Sequence, residues 1–216
     1  MIIRFINHSS IIIDTKTEKI LCDPWYTGTA FANGWRLLVD DTTDINCLNF
    51  DKIWISHEHP DHFSIPTLKS LDRKVPVLYQ ETKDKKVKNY LEDQGHEVIE
   101  LPQNCAQNFG DCKITSIVTE GYDSCILIDD GNIKFLNVND SQLDKPLEIN
   151  KITRHTPIDL ISIQFHYANW AGNPGDEAIP AFKRKNAVNR IKKICEVCGT
   201  EDVILFATTK HITIIE

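Results

Sequence analysis

The sequence predicts a mixed α/β (α+β) fold in which two β-sheets pack face to face and helices cover both outer sides, a four-layer αββα sandwich. Three observations predict it. The N-terminus is dense in β-branched residues, the middle alternates strand and helix patterns, and the second half repeats the order of strands followed by a strand and helix unit. Each sheet then has one face for the other sheet and one face for helices.

The first elements are short strands joined by polar turns. Apolar, β-branched segments predict strands at residues 2–6, 10–14, 19–23 and 51–56. Residues 24–49 are rich in Gly, Asn, Thr and Asp yet contain Trp25, Phe31 and Trp35, so we expect a long loop near a functional site. A polar turn after the fourth strand leads into a short helix predicted at 64–71.

The middle and the C-terminal part supply the other layers. We expect Thr82 to cap a helix that contains Val87 and Leu91 on one face and stops at Gly95. A longer amphipathic helix stops at Gly199. The other predicted strands are residues 75–79, 96–101, 113–119, 122–129, 132–138, 158–165 and 202–207.

Composition limits the classes of function. The chain has 216 residues, 41% apolar and 25% charged, which predicts one globular domain over residues 1–216. Lys plus Arg is 24 against 31 for Asp plus Glu, and this net charge of −7 argues against nucleic acid as a partner. No apolar run approaches the roughly 20 residues of a membrane span. Seven cysteines without a paired framework favour a reduced, cytoplasmic protein.

The strongest chemical signal is a cluster of imidazoles and one carboxylate. His57, His59, Asp61 and His62 lie within six positions at the end of an apolar strand. In an extended segment alternate side chains point the same way, so His57 and His59 can bind one ion while the following turn directs Asp61 and His62 to a second. A merely polar, His-rich loop is the less favoured interpretation. The ligand types suit zinc, iron or manganese.

These four residues match the signature His-x-His-x-Asp-His, and the chain resembles the metallo-β-lactamase fold hydrolases. The segments 7–10 and 21–25 are similar to a branch that includes L-ascorbate 6-phosphate lactonases, N-acylphosphatidylethanolamine phospholipases D and the C-terminal part of CMP-N-acetylneuraminate hydroxylase. The resemblance implies one or two divalent metal ions, zinc first among them, and a bridging aspartate at Asp140.

Other residues depart from the family's pattern. Where the family has a third histidine before the later hairpin, this chain offers only Glu120, and the last histidine has only the offset His211 as a substitute. His166 is a further candidate ligand in a loop beside a strand end. The chain ends at Glu216, soon after its last predicted strand, which fits either a shortened chain or a reduced member of the family.

The implied chemistry is hydrolysis by a metal-activated water, since a divalent ion lowers the pKa of bound water from about 16 to roughly 7. The resemblance gives Asp61 the catalytic role of orienting that water and relaying its proton. Asp23 is expected to accept a hydrogen bond from a ligating imidazole. His8, Trp25 and Trp170 are candidates for lining the pocket.

Two alternatives stay open from the sequence. The same ligands can hold iron in a redox enzyme or subunit like the hydroxylase, with electrons supplied by a separate component. Alternatively, the chain is a catalytically reduced member that binds metal but lacks enough ligands for turnover. The leading expectation is a hydrolase of a small substrate that is phosphorylated or derived from a sugar.

Overall fold

Two six-stranded sheets form the centre of the molecule. The computed structural model describes residues 1–37, 45–165, 178–206 and 212–214. The strands of the first sheet are β1 (Ile2–Asn7), β2 (Ser10–Asp14), β3 (Lys19–Cys22), β5 (Lys52–Ile55), β6 (Val77–Gln80) and β7 (Val98–Leu101). Those of the second are β8 (Gln107–Phe109), β9 (Cys112–Val118), β10 (Ser124–Asp129), β11 (Lys134–Asn139), β12 (Leu160–Gln164) and β13 (Val203–Phe206).

Each sheet combines antiparallel and parallel strand pairs. In the first, β1, β2 and β3 form an antiparallel meander, and β3, β5, β6 and β7 then run parallel in that order. In the second, β8 to β11 are antiparallel neighbours, and β12 and β13 extend the sheet in parallel. Parallel neighbours need a crossover, and helices supply it between β5 and β6, β6 and β7, β11 and β12, and β12 and β13. The connection from β3 to β5 runs instead through residues 23–51, whose described part contains no α-helix.

The described helices are α1 (Ile65–Ser70), α2 (Lys86–Asp93), α3 (Pro146–Thr153) and α4 (Ala178–Cys198). Ser64 caps α1, because its hydroxyl accepts a hydrogen bond from the backbone N–H of Thr67. The N-cap of α2 is Lys85 in a left-handed conformation, so the expected cap at Thr82 is wrong by three residues. None of the helices in these described ranges is long and apolar enough to cross a bilayer.

Three apolar clusters define four layers, which confirms the predicted αββα order. Between the sheets, Ile11 and Trp54 of the first pack with Ile126 and Phe135 of the second. The outer face of the first sheet packs against α1 and α2, including Leu68 and Leu91. On the outer face of the second sheet, Ile152 of α3 and Ile194 of α4 fill the same role. The alternation of side chains along each strand supplies both faces.

Four helices and strands were not predicted from the sequence. The helix α3 follows β11, the short strand β8 starts the second sheet, and β4 (Trp35–Leu37) pairs antiparallel with β14 (Ile212–Ile214). The segment expected to be an irregular loop at 24–49 therefore contains a strand. Its residues 38–44 lie outside the described part of the chain.

Candidate metal centre

The predicted ligands lie where the ends of β3, β5 and β11 meet. Asp23 follows β3 directly, and its backbone N–H donates to the carbonyl of Trp54 at 2.9 Å, which ties β3 to β5. After β5, the chain turns tightly, because the N–H groups of His62 and Phe63 both donate to the carbonyl of His59, at 2.9 and 2.7 Å. This turn directs the four side chains of the motif into one volume.

One group of potential ligand atoms consists of His57, His59 and Asp140. The Nε2 atom of His57 lies 2.8 Å from Nδ1 of His59 and 3.7 Å from Oδ2 of Asp140. His57 is almost fully buried, whereas His59 is exposed, so the group opens to solvent on one side.

A second group consists of His8, Asp61 and His62, and all three residues are buried. Oδ2 of Asp61 lies 3.5 Å from Nε2 of His62 and 3.1 Å from Nε2 of His8. Oδ2 of Asp140 lies 3.7 Å from Nε2 of His62, the same separation as from His57. Asp140 therefore lies between the two groups, at the position that the resemblance gave to a bridging ligand.

The buried carboxylate of Asp23 supports this arrangement from behind. It accepts hydrogen bonds from the backbone N–H and the hydroxyl of Ser56, both at 2.8 Å. The side-chain amide of Asn139 donates to the same carboxylate, and Nδ1 of His62 lies 3.1 Å from its Oδ2 atom. The contact with Asp23 thus sets the ring orientation of His62.

Burial and neighbouring charges shift the pKa values of the cluster in different directions. Burial, reinforced by His62, lowers the pKa of His57 to about 4. Burial also disfavours the charged form of His62, but the carboxylates of Asp61, Asp140 and Asp23 outweigh it and raise its pKa to about 10. Burial raises the pKa of the Asp61 carboxyl, yet His62 and His8 outweigh it and lower the value well below the usual range.

The residues fit a divalent metal. Within the described residues, Nε2 of His62, Oδ1 of Asp61 and Oδ1 of Asp140 are buried atoms without a hydrogen-bond partner. Orphaned polar atoms of this kind are costly unless a water or an ion pairs with them. Ligands at about 2.0–2.2 Å from a tetrahedral ion are about 3.3–3.6 Å apart, close to the separations around Asp61 and Asp140. Nitrogen and oxygen donors together suit zinc, iron or manganese.

The remaining predicted site residues lie in different environments. The Glu120 side chain is 73% exposed, pairs with Lys145 at 2.8 Å, and belongs to neither group. Trp25 is fully buried behind His8, with ring centroids 5.2 Å apart in an edge arrangement. The candidates His166, Trp170 and His211 lie outside the described residues.

Asp123 is a residue that sequence reasoning missed. Its Oδ1 atom lies 3.6 Å from Nδ1 of His57. Burial, with the charge of Asp140, raises the pKa of Asp123 to about 6. Gly121 and Tyr122 precede it with left-handed φ angles of 82° and 66°, and this tight turn brings the carboxylate to the cluster. The Gly-Tyr-Asp sequence at the start of a predicted hairpin was the available signal.

Phe31 forms an aromatic edge at the exposed side of the cluster. Its ring centroid lies 6.0 Å from that of His59 and 4.7 Å from that of Trp35. Phe31, Ala32 and Asn33 all have left-handed φ angles, 51°, 52° and 69°. Such a conformation is strained in residues that carry a Cβ, and strained backbone is often found at functional sites.

Sequence comparisons identify relatives. A family model described as a beta-lactamase superfamily domain matches residues 2–142. Cytidine monophosphate-N-acetylneuraminic acid hydroxylase from Danio rerio is 31% identical over 147 residues, which cover 63% of this chain and 25% of that protein. The hydroxylase of the same name from Xenopus laevis is 30% identical over 149 residues, 64% of this chain and 25% of that protein. The chain spans about a quarter of the length of these curated relatives.

Solved structures share the fold. CmlA, a diiron beta-hydroxylase from Streptomyces venezuelae, aligns with a TM-score of 0.68 at 17% identity, over 95% of this chain and 44% of that chain. A possible metal-dependent hydrolase from Veillonella parvula aligns with a TM-score of 0.65 at 14% identity, over 93% of this chain and 82% of that chain. Proteins described as a hydroxylase and as a hydrolase thus have the same architecture.

Proposed function

This chain belongs to the beta-lactamase superfamily, and from that premise we propose that it is a metal-dependent hydrolase of a small substrate. The observation that carries the proposal is the position of Asp140, whose Oδ2 atom lies 3.7 Å from Nε2 of both His57 and His62. One carboxylate oxygen can then contribute to two adjacent metal sites. Ions held by the two groups would stabilise both the attacking and the leaving oxygen of a displacement.

When bound, the metal supplies an activated water at neutral pH. His57, His59 and Asp140, whose donor atoms all lie within 4.8 Å of one another, would hold one ion. Asp61 stays ionised because of the imidazoles around it, so its free Oδ1 atom can accept a hydrogen bond from the water and pass on the proton. The water oxygen ends on the acyl or phosphoryl product, and the proton leaves with the alcohol.

The surroundings support a substrate that is polar at the reacting end and apolar beside it. Phe31 is 41% exposed next to His59, and an exposed aromatic ring can pack against a sugar or a nucleobase. The hydroxylases to which this chain is similar are named for a nucleotide-linked sugar. A phosphorylated or sugar-derived substrate is therefore the proposal for this site.

Hydrolysis is tested with protein loaded with zinc, manganese or ferrous iron under argon. The assay uses a panel of chromogenic carboxylic esters, lactones and phosphodiesters, followed by nucleotide sugars. We expect turnover without oxygen or reductant, and loss of turnover in Asp61→Asn. Glu58→Gln is the control, because Glu58 lies within the motif but its exposed side chain pairs with Lys86 at 2.7 Å. Absence of turnover with all three metals across the panel would contradict the proposal.

A second candidate function is iron-dependent oxidation. Two observations favour it: the 31% identity to a hydroxylase over 147 residues, and three carboxylates at the cluster, Asp61, Asp123 and Asp140. Carboxylate and imidazole donors together are typical of non-haem iron. Oxygen consumption by the ferrous protein with an added chemical reductant separates this function from hydrolysis, which needs neither.

A further inference from the structure

We propose that His8 is a metal ligand, so that the turn between β1 and β2 supplies the second site with an imidazole that the His-x-His-x-Asp-His motif does not contain. This inference rests on the proposed metal-dependent function. It assigns a ligand to an element some 50 residues away from the motif in the chain.

The backbone at His8 suggests that the side chain was selected for its chemistry. His8 and Ser9 form the turn between Asn7 and Ser10, which are paired residues of β1 and β2. His8 has a φ of 40°, in the left-handed region. Gly, Asn or Asp are the residues that such hairpin turns favour. A left-handed φ is uncommon in residues that carry a Cβ, and such positions cluster where function requires a particular side chain.

The environment of the imidazole is that of an internal site. His8 is fully buried, and its ring packs edge-on against the buried Trp25, which fixes its orientation. Its Nε2 atom faces Oδ2 of Asp61 at 3.1 Å. The ring centroid of His62 is 6.0 Å from that of His8.

The donor atoms have separations that an ion requires. His8, Asp61 and His62 each offer an atom, and all three atoms lie within 4.8 Å of one another. Oδ2 of Asp61 lies 3.1 Å from Nε2 of His8 and 3.5 Å from Nε2 of His62. These distances are close to the separation of about 3.3–3.6 Å expected between two ligand atoms of a tetrahedral ion. With Oδ2 of Asp140 at 3.7 Å from His62, the set contains two imidazoles and two carboxylates.

The competing interpretation is that His8 only donates a hydrogen bond from Nε2 to Asp61 and thereby orients that carboxylate. In that interpretation Nε2 carries the proton and Nδ1 is an unprotonated acceptor. The Nδ1 atom is buried and has no hydrogen-bond partner among the described residues. Metal ligation and hydrogen bonding require different chemical groups in the side chain at position 8. A ligand needs an available lone pair, whereas the hydrogen bond needs only a donor.

His8→Gln separates the two interpretations, because a glutamine amide can donate to Asp61 at about the position of Nε2 but is a poor metal ligand. His8→Ala removes both functions. His96→Ala is the control, since His96 is a buried histidine that pairs with Arg73 at 2.7 Å and belongs to neither ligand group. Circular dichroism and thermal melting in chelator verify that each variant folds.

Metal-free protein is titrated with Zn²⁺ in competition with a chromophoric chelator and with Co²⁺ followed by visible absorption. We expect two equivalents in wild type and in His96→Ala. In His8→Ala and in His8→Gln, the second equivalent is expected to bind about 100-fold more weakly or not at all, with a changed Co²⁺ spectrum. Second-site affinity near that of wild type in His8→Gln would make His8 a positioning residue and overturn the inference.

The result also distinguishes this inference from the proposed function. Should wild type bind no metal, the proposed function itself fails. Should wild type and His8→Ala both bind two ions with equal affinity, only the role of His8 is lost.

Discussion

The Oδ2 atom of Asp23 lies 3.1 Å from the Nδ1 atom of His62, and both side chains are fully buried. A carboxylate at this distance favours a proton on Nδ1, so the Nε2 atom is the one that faces Asp61 and Asp140 and can bind an ion once its proton leaves. The contact joins the residue after β3 to the end of the motif, 39 positions away. It defines which nitrogen of His62 can bind an ion.

The substitution Asp23→Asn tests that contact. An amide can still accept a hydrogen bond from Ser56 through its oxygen, but it no longer stabilises the Nδ1–H tautomer with a negative charge. We expect the affinity for the second ion to fall about 10- to 100-fold, as measured by competition with a chromophoric chelator. Glu58→Gln, which removes an exposed charge near the motif, should leave the affinity unchanged.

Metal binding is expected to release protons. In the metal-free protein the surrounding carboxylates overcome the effect of burial and raise the pKa of His62 to about 10, so the ring is protonated at pH 7.5. An ion can bind Nε2 only after a proton leaves. Calorimetric titration in Hepes and in Tris, whose ionisation enthalpies differ, should show about one proton released with the second ion. Equal heats in the two buffers would contradict this.

Removal of the Asp123 charge should stabilise the metal-free protein and weaken metal binding. Burial, together with Asp140, raises the pKa of Asp123 to about 6, above the value of about 3.9 in an unfolded chain. The folded state therefore binds more protons between these values, and its stability falls as the pH rises from about 4 to about 6. Asp123→Asn removes that penalty.

We expect this variant, in chelator, to equal wild type near pH 4 and to be about 1–2 kcal/mol more stable at pH 8, after a reduction for partial exposure. The measurement is urea denaturation at both pH values. The pKa of His57, lowered to about 4 by burial, gives the opposite pH dependence, so the test rests on the difference between the two proteins at pH 8, where His57 is neutral in both. A variant less stable than wild type at pH 8 would contradict the assignment.

Thr67 fixes the loop that follows β3 to helix α1. Its hydroxyl oxygen accepts hydrogen bonds from the backbone N–H groups of Tyr26 and Thr27, at 2.9 and 3.2 Å, and the side chain is fully buried. Thr67→Val keeps the shape but leaves these donors without an acceptor. The free energy of unfolding should fall by about 1–3 kcal/mol in urea denaturation.

Thr153→Val serves as the matched control, because Thr153 is exposed on α3 and its hydroxyl donates only to the carbonyl of Asn150. A change within about 0.5 kcal/mol is expected there. If both variants lose the same stability, the hydrogen bonds of Thr67 to residues 26 and 27 are not what stabilises this loop.

Local sequence patterns predicted most of the strands. Residues 10–14 are almost continuously apolar because both faces of β2 are buried, by helices on one side and by the second sheet on the other. The short helix α3 lacked such a signal, since its Leu147 is 80% exposed and its N-cap, Lys145, makes no side-chain hydrogen bond. Strand β4 has three residues and a partner far along the chain, which no local pattern can reveal.

The site was predictable where its residues are adjacent in sequence. His57, His59, Asp61 and His62 occupy one turn, so their spacing alone brings them together. The approach of His8 to Asp61 spans 53 positions and depends on how β2, β3 and β5 align, so the sequence suggested only a pocket residue. Asp123 was missed because its approach depends on left-handed backbone at Gly121 and Tyr122.

The central claim is that this cluster binds metal ions, and metal analysis tests it most directly. Wild-type protein purified without chelator is compared by elemental mass spectrometry with the His57→Ala, His59→Ala double variant from the same preparation. We predict about two equivalents of zinc, iron or manganese in wild type and a clear deficit in the double variant. Equal metal contents at or near zero in the two proteins would contradict the claim.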